Sequence, residues 1–107
     1  MRLACPYLDA DVEWTEERQQ HIAARHPELL PAHEAKIVQA VADPGEIRRD
    51  REYPNTRLFF RWFDDLMGGK NVVVATVSTP PPDVRHWIVT AFVARRPPKG
   101  EVEWRRP

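Results

Sequence analysis

Two stretches of this 107-residue chain carry side chains suited to acid–base work on a phosphate. His21-Ile-Ala-Ala-Arg25-His26-Pro27-Glu28 gathers two imidazoles and a guanidinium at the end of an expected helix. His86-Trp-Ile-Val-Thr90-Ala-Phe92 reads as a late strand with a hydroxyl, Thr90, set among apolar core-type positions. Imidazole titrates near neutral pH and suits proton transfer. Guanidinium offers a planar fork to phosphate oxygens. A threonine hydroxyl donates one further hydrogen bond. Together these are the groups that metal-free RNA cleavage uses.

His21 and Arg25 are four apart and share one side of a helix. His26, five residues beyond His21, sits at the helix terminus. There it caps carbonyls or turns inward. Arg61 lies among Phe59, Phe60 and Phe63, where it stacks, pairs with an acid or meets a phosphate. Lys70, Arg85 and His86 are the candidate substrate-binding groups. Each also has a plain structural reading: a solvated helix face, a strand threonine, a surface arginine.

Other chemistries have less to stand on. His21, His26 and His33 are five and seven residues apart with Pro27 and Pro31 between them, which is no metal-ligand spacing. No metal and no cofactor is expected. Cys5 is the single cysteine, so no internal disulfide forms, and a cytoplasmic compartment is expected. Ser78 lies in no nucleophile-elbow motif. Gly68-Gly69 reads as a hairpin turn, not a phosphate loop. No stretch approaches the roughly 20 apolar residues of a membrane span.

The formal charge is zero, yet residues 1–45 carry 4 basic and 8 acidic side chains and residues 46–107 carry 12 and 8. The second half is therefore net basic and suited to a polyanion. The length sets one domain, residues 1–107, with one modest core.

Elements must hold these groups in place. Thr15 before Glu16-Glu17 is a helix start, and Pro27 closes a helix over about 16–26. A second helix is expected from about Pro31 to Val41, ended by Asp43-Pro44-Gly45. The apolar period then changes to two. Strands are expected at 46–51, 57–63, 71–79, 86–94 and 101–104, the second and third joined through Gly68-Gly69. The expected fold is α+β: two N-terminal helices packed on an antiparallel meander of four to five strands. Alternation assigns Leu58, Phe60, Trp62, Val73, Ala75, Val77, Trp87, Val89, Ala91 and Val93 to the helix-covered face. Arg61, Thr76, His86 and Thr90 then share the other face. Centred hairpins pair Phe60 with Val73 and set Thr90 opposite Val74.

With these residues in view the chain resembles the phage-associated nuclease families of the barnase/EndoU/colicin/RelE-like class. The resemblance rests on His21-Ile-x-x-Arg25-His26-Pro27-Glu28, Asp43-Pro44-x-x-Ile47, Leu58-Phe59-Phe60-Arg61, Lys70-Asn71-Val72-Val73-Val74 and Ile88-Val89-Thr90-Ala91-Phe92. It spans about residues 14–104. It implies a metal-independent endoribonuclease, with His21, Arg25, His26, Arg61 and Thr90 as the site. The substrate's own 2′-OH would attack the phosphate and leave a 2′,3′-cyclic phosphate. Such families include toxins and effectors, some with an immunity or antitoxin partner. The alternatives are a non-catalytic RNA- or protein-binding module of the same fold, and a phage structural accessory.

Overall fold

Two short strands precede the helices in the computed structural model, which describes residues 1–107. Strand β1, Arg2–Cys5, turns through a 3-10 segment, Pro6–Leu8, into β2, Ala10–Glu13. Helix α1, Glu16–Arg25, and helix α2, Glu34–Ala42, follow. Then come β3 (Glu46–Arg49), β4 (Thr56–Phe63), β5 (Lys70–Ser78), β6 (His86–Ala94) and β7 (Glu101–Arg105). All seven strands form one sheet in the order β1-β2-β6-β5-β4-β3-β7. The radius of gyration, 12.9 Å, is that of a close-packed domain of this length.

This corrects the expectation of two N-terminal helices on a meander of four to five strands. A β-hairpin comes first, and the sheet has seven strands and is mixed. The hairpin β1–β2 joins the rest by a parallel contact, Glu13 opposite Trp87. Strand β7 adds beyond β3, far from β6, so the last connection crosses three strands. The hairpin escapes a sequence reading because each of its strands is four residues long and mixes charged with apolar side chains. Only Leu3, Cys5 and Val12 mark it as core-facing.

The sheet is curled into a half-barrel. Helix α2 lies in the curl, packing on β1 as well as on β4 and β5. The Tyr7 ring, just past β1, meets Phe59 of β4 and Trp104 of β7, each at 6.1 Å between centroids. The two edges of the sheet are thereby drawn together.

Local chemistry sets the helix limits. Thr15 Oγ1 accepts the Arg18 N–H at 3.2 Å, and Glu16 and Glu17 sit at the positive end of the dipole. α1 stops at Arg25, since Pro27 disfavours helical geometry at His26. α2 begins three residues later than Pro31 would place it. Successive turns bury Leu29 and Leu30, with the His33 N–H bonding the Leu29 carbonyl at 2.8 Å, before the helix is entered.

The face assignment also needs correction. The main core takes Phe59 and Phe63 from β4, Val72 and Val74 from β5, and Ile88 and Ala91 from β6, under α2's Ile37, Ala40 and Val41. For β4, β5 and Ile88 this inner face is the set expected to lie away from the helices, whereas Ala91 and Val93 of β6 lie toward the helix-covered core as expected. Leu58, Phe60, Val73 and Ala75 form a separate cluster on the outer face. Both faces of these strands are apolar, so alternation gave two stripes and no label for which one the helices cover. Phe60 does pair with Val73, but Thr90 lies opposite Ala75, not Val74. The cause is a bulge at Val89, where Ala75 pairs with Thr90 while Thr76 pairs with Ile88. His86 and Ile88 therefore point inward with Thr76, and Thr90 and Phe92 point outward.

Candidate active site

The residues singled out in the sequence fall in four places. His21 is half-buried on α1 and Arg25 is exposed one turn on, neither with a side-chain partner. His26 caps α1, its Nδ1 3.4 Å from a Glu28 carboxylate oxygen and its ring 6.2 Å from that of Phe92. Thr90 shares the outer face with Phe92, two residues away. The structure thus brings the end of α1 beside the Thr90 strand. Arg61 is elsewhere, on the inner face, donating to the Asp43 carbonyl at 2.9 Å and its carboxylate at 2.8 Å. Hydrogen bonds from Arg61, joined by Arg106, hold the Asp43 carboxyl below its usual pKa. Lys70 donates to the Met67 carbonyl in its own hairpin loop at 2.8 Å. Arg85 pairs with Glu13 across the β2–β6 junction at 2.7 Å.

His86 is the one of these that enters a dense polar cluster. At the open end of the curl, β3, β4, β5, β6 and β7 each turn one polar side chain inward. Glu103 of β7 accepts from Arg49 Nε at 2.8 Å, Arg57 Nε at 2.7 Å and the Tyr7 hydroxyl at 2.6 Å. Arg57 Nη1 then donates to Ser78 Oγ at 3.3 Å. Ser78 Oγ lies 2.6 Å from His86 Nδ1. A serine oxygen can accept two hydrogen bonds, so the direction of its contact with Nδ1 is set by the ring's tautomer; with the hydrogen on Nε2, Ser78 donates to Nδ1.

The electrostatics agree with this pattern. Burial lowers the pKa of His86, and the nearby Arg57 charge lowers it further, so the ring is neutral at pH 7. Burial alone would raise Glu103, but hydrogen bonds from Tyr7, Arg57 and Arg49 outweigh it and hold the carboxylate ionised. Tyr7 is raised, first by burial and then by its bond to Glu103. Beneath the cluster the Cys5 thiol is fully buried, and that burial pushes its pKa up. It is a poor nucleophile there. His86 also borders a cleft of about 300 Å³ between the first hairpin and the β5–β6 loop, with Arg2, Glu13 and Arg85 on its walls.

Arg49, Arg57, Ser78, Glu103 and Tyr7 were not singled out from the sequence. Each looks like an ordinary surface residue of a short strand or loop. Their convergence depends on the curl, which brings residue 7 against residue 103. Nowhere do three or more His, Cys, Asp or Glu side chains gather closely enough to hold a metal ion. No helix is long and apolar enough to cross a membrane. Comparison with known proteins gives no match among family models, curated proteins or solved structures.

Proposed function

We propose that this chain is a metal-independent endoribonuclease acting at the inner-face cluster. The observation that carries the reading is the relay Glu103–Arg57–Ser78–His86, which links a fixed carboxylate through a guanidinium and a hydroxyl to a neutral imidazole. The residue resemblance stated above supports the same chemistry.

In this mechanism a ribose 2′-OH approaches Ser78 Oγ. As its oxygen bonds to phosphorus, its proton passes to Ser78 while Ser78 hands its own to His86 Nδ1. The imidazolium then gives the Nε2 proton to the leaving 5′ oxygen as the P–O bond breaks. The products are a 2′,3′-cyclic phosphate and a 5′-OH end. Arg57 and Arg49 stabilise the charge on the phosphoryl oxygens, and Glu103 keeps both oriented. The nucleophile belongs to the substrate, so DNA resists cleavage. Such an enzyme would work in a cytoplasm, its own or a target cell's, and a protein that plugs the cluster would serve as its immunity factor.

The second reading is a non-catalytic RNA- or protein-binding module. It is favoured by the pairing of Arg49 and Arg57 with Glu103 before any substrate arrives. The deciding experiment is cleavage of a tRNA mixture in excess EDTA, with a matched DNA strand, by the wild type and the His86→Asn, His21→Ala and His26→Asn proteins. RNA-only cleavage lost in His86→Asn alone supports the inner-face site. Loss in His21→Ala or His26→Asn alone moves the chemistry to the α1 group with Arg25 and Thr90. Intact RNA throughout refutes the enzyme and leaves the binding module.

A further inference from the structure

The outer face of the sheet, turned away from α2, has features that the proposed chemistry does not use. Its upper rows run Trp62–Asn71–Ala94 and Phe60–Val73–Phe92 across β4, β5 and β6. Trp62 is 47% exposed, yet it is not loose. Its Nε1 donates to Asp64 at 2.7 Å. Its ring rests on Gly69, where an added Cβ would stand 2.6 Å from Cζ2. Phe92 is half-buried beside the His26 ring. The face therefore presents aromatic rings in fixed orientations.

A basic strap crosses this surface. Residues 95–100 leave β6 at Ala94 and pass over the sheet to β7. The Pro98 carbonyl takes the Arg48 Nη1 hydrogen bond at 2.7 Å, and Gly100 packs on the backbone of Arg49. Arg95, Arg96 and Lys99 are exposed on the strap, and none has an ion-pair partner; Arg25 at the end of α1 has none either. Asp64 is engaged by Trp62, Glu28 by His26, and Glu46 by Arg48 and Arg105, while Glu101, which follows the strap, and Glu52, which shares a cleft with Lys99, carry no side-chain partner.

We infer that the outer face is a track for unpaired RNA. Fixed, partly exposed rings stack on bases, and unpartnered cations hold the phosphates between them. A duplex hides the faces of its bases and offers nothing to stack, so the track selects single strands. The strap's lower end packs on the backbone of Arg49, whose guanidinium turns to the opposite face and into the inner cluster. Only the choice of RNA as ligand rests on the proposed function; the track itself does not.

The test is fluorescence anisotropy with a labelled ten-nucleotide 2′-O-methyl RNA, which cannot be cleaved, and a hairpin of the same composition. Proteins are the wild type, Trp62→Leu and the double variant Arg95→Glu/Arg96→Glu. The single strand should bind at least tenfold more tightly than the hairpin. Trp62→Leu should weaken it about tenfold, in line with the cost of losing one stacked base. Arg95→Glu/Arg96→Glu should weaken it and flatten the salt dependence by about 1.4 in slope, two phosphate contacts' worth. Equal affinity for the hairpin, or unchanged binding in both variants, overturns the track. Cleavage followed in parallel separates the two ideas: binding without cleavage removes the nuclease and keeps the track, and cleavage with unaltered variant binding does the reverse.

Discussion

Replacing Glu103 by Gln should destabilise the fold by about 2–3 kcal/mol at pH 7. The carboxylate receives Arg49, Arg57 and Tyr7, and its side chain is 17% exposed, with Arg57 at 20% and Arg49 at 43%. Breaking a fully buried ion pair costs about 3–5 kcal/mol, and an exposed one about 0–1. Arg57 loses its partner in a nearly closed site, whereas Arg49 regains water, which places the sum between those limits. For a domain of this size that corresponds to a fall in Tm of about 10 °C. The effect has a pH signature. Glu103 is held below its ordinary pKa in the folded chain. Its contribution is therefore complete above the unfolded-state value of about 4.3 and fades as pH falls through the lower folded value. Thermal unfolding by circular dichroism at pH 7.5 and at pH 3 reads both effects. The wild type should lead Glu103→Gln clearly at pH 7.5, and the gap should shrink at pH 3. Melting temperatures within about 2 °C of each other at pH 7.5, or a gap that persists unchanged in acid, would falsify the picture of Glu103 as the ionised hub.

Four further outcomes are expected. Gly69→Ala meets both a φ of +102° and the Trp62 ring, and should lower the urea midpoint by the equivalent of about 1–3 kcal/mol. Thr15→Ala removes the α1 cap and should cost about 1 kcal/mol in the same titration, while a loss near zero would mean water replaces the Oγ1 bond. The cleavage rate should rise with pH along an acid limb whose midpoint lies below the ordinary histidine value of about 6.5, because the neutral ring is the proton acceptor and burial, then Arg57, depresses its pKa. Ser78→Ala should slow cleavage across that whole profile by severing the relay; an unchanged rate would remove Ser78 from the mechanism.

The sequence announces local features and hides distant ones. Thr15 and Pro27 bracket α1 because capping and pre-proline geometry act within a few residues. The β4–β5 register is readable because Gly68 and Gly69, with φ of 77° and 102°, supply the turn that centres it. The inner and outer faces are not readable, because Phe59 and Phe60 are equally apolar and both end up buried. Nor is the Val89 bulge, which sends Thr90 outward by inserting one residue into β6. Glu103 is the clearest case. In the string Glu101-Val-Glu-Trp-Arg105 nothing separates one glutamate from the other. Only the bulge between Ile47 and Arg48 on the β3–β7 ladder, and the arrival of Tyr7 from the far edge, turn it into the centre of a network.

That union of first and last strands also bears on how the molecule is made. Tyr7 and Glu103 are separated by 96 residues, and the strands they follow and occupy are the outer edges of the sheet. A nascent chain that has not yet emitted β7 has Arg49, Arg57 and His86 but not the carboxylate that orders the arginines. The half-barrel lacks its closing edge until synthesis reaches the very strand that carries Glu103. Long-range pairing of this kind is slow to form as well as late to become available. Should the cluster cut RNA, competence would arrive only when the last strand of the sheet joins β3.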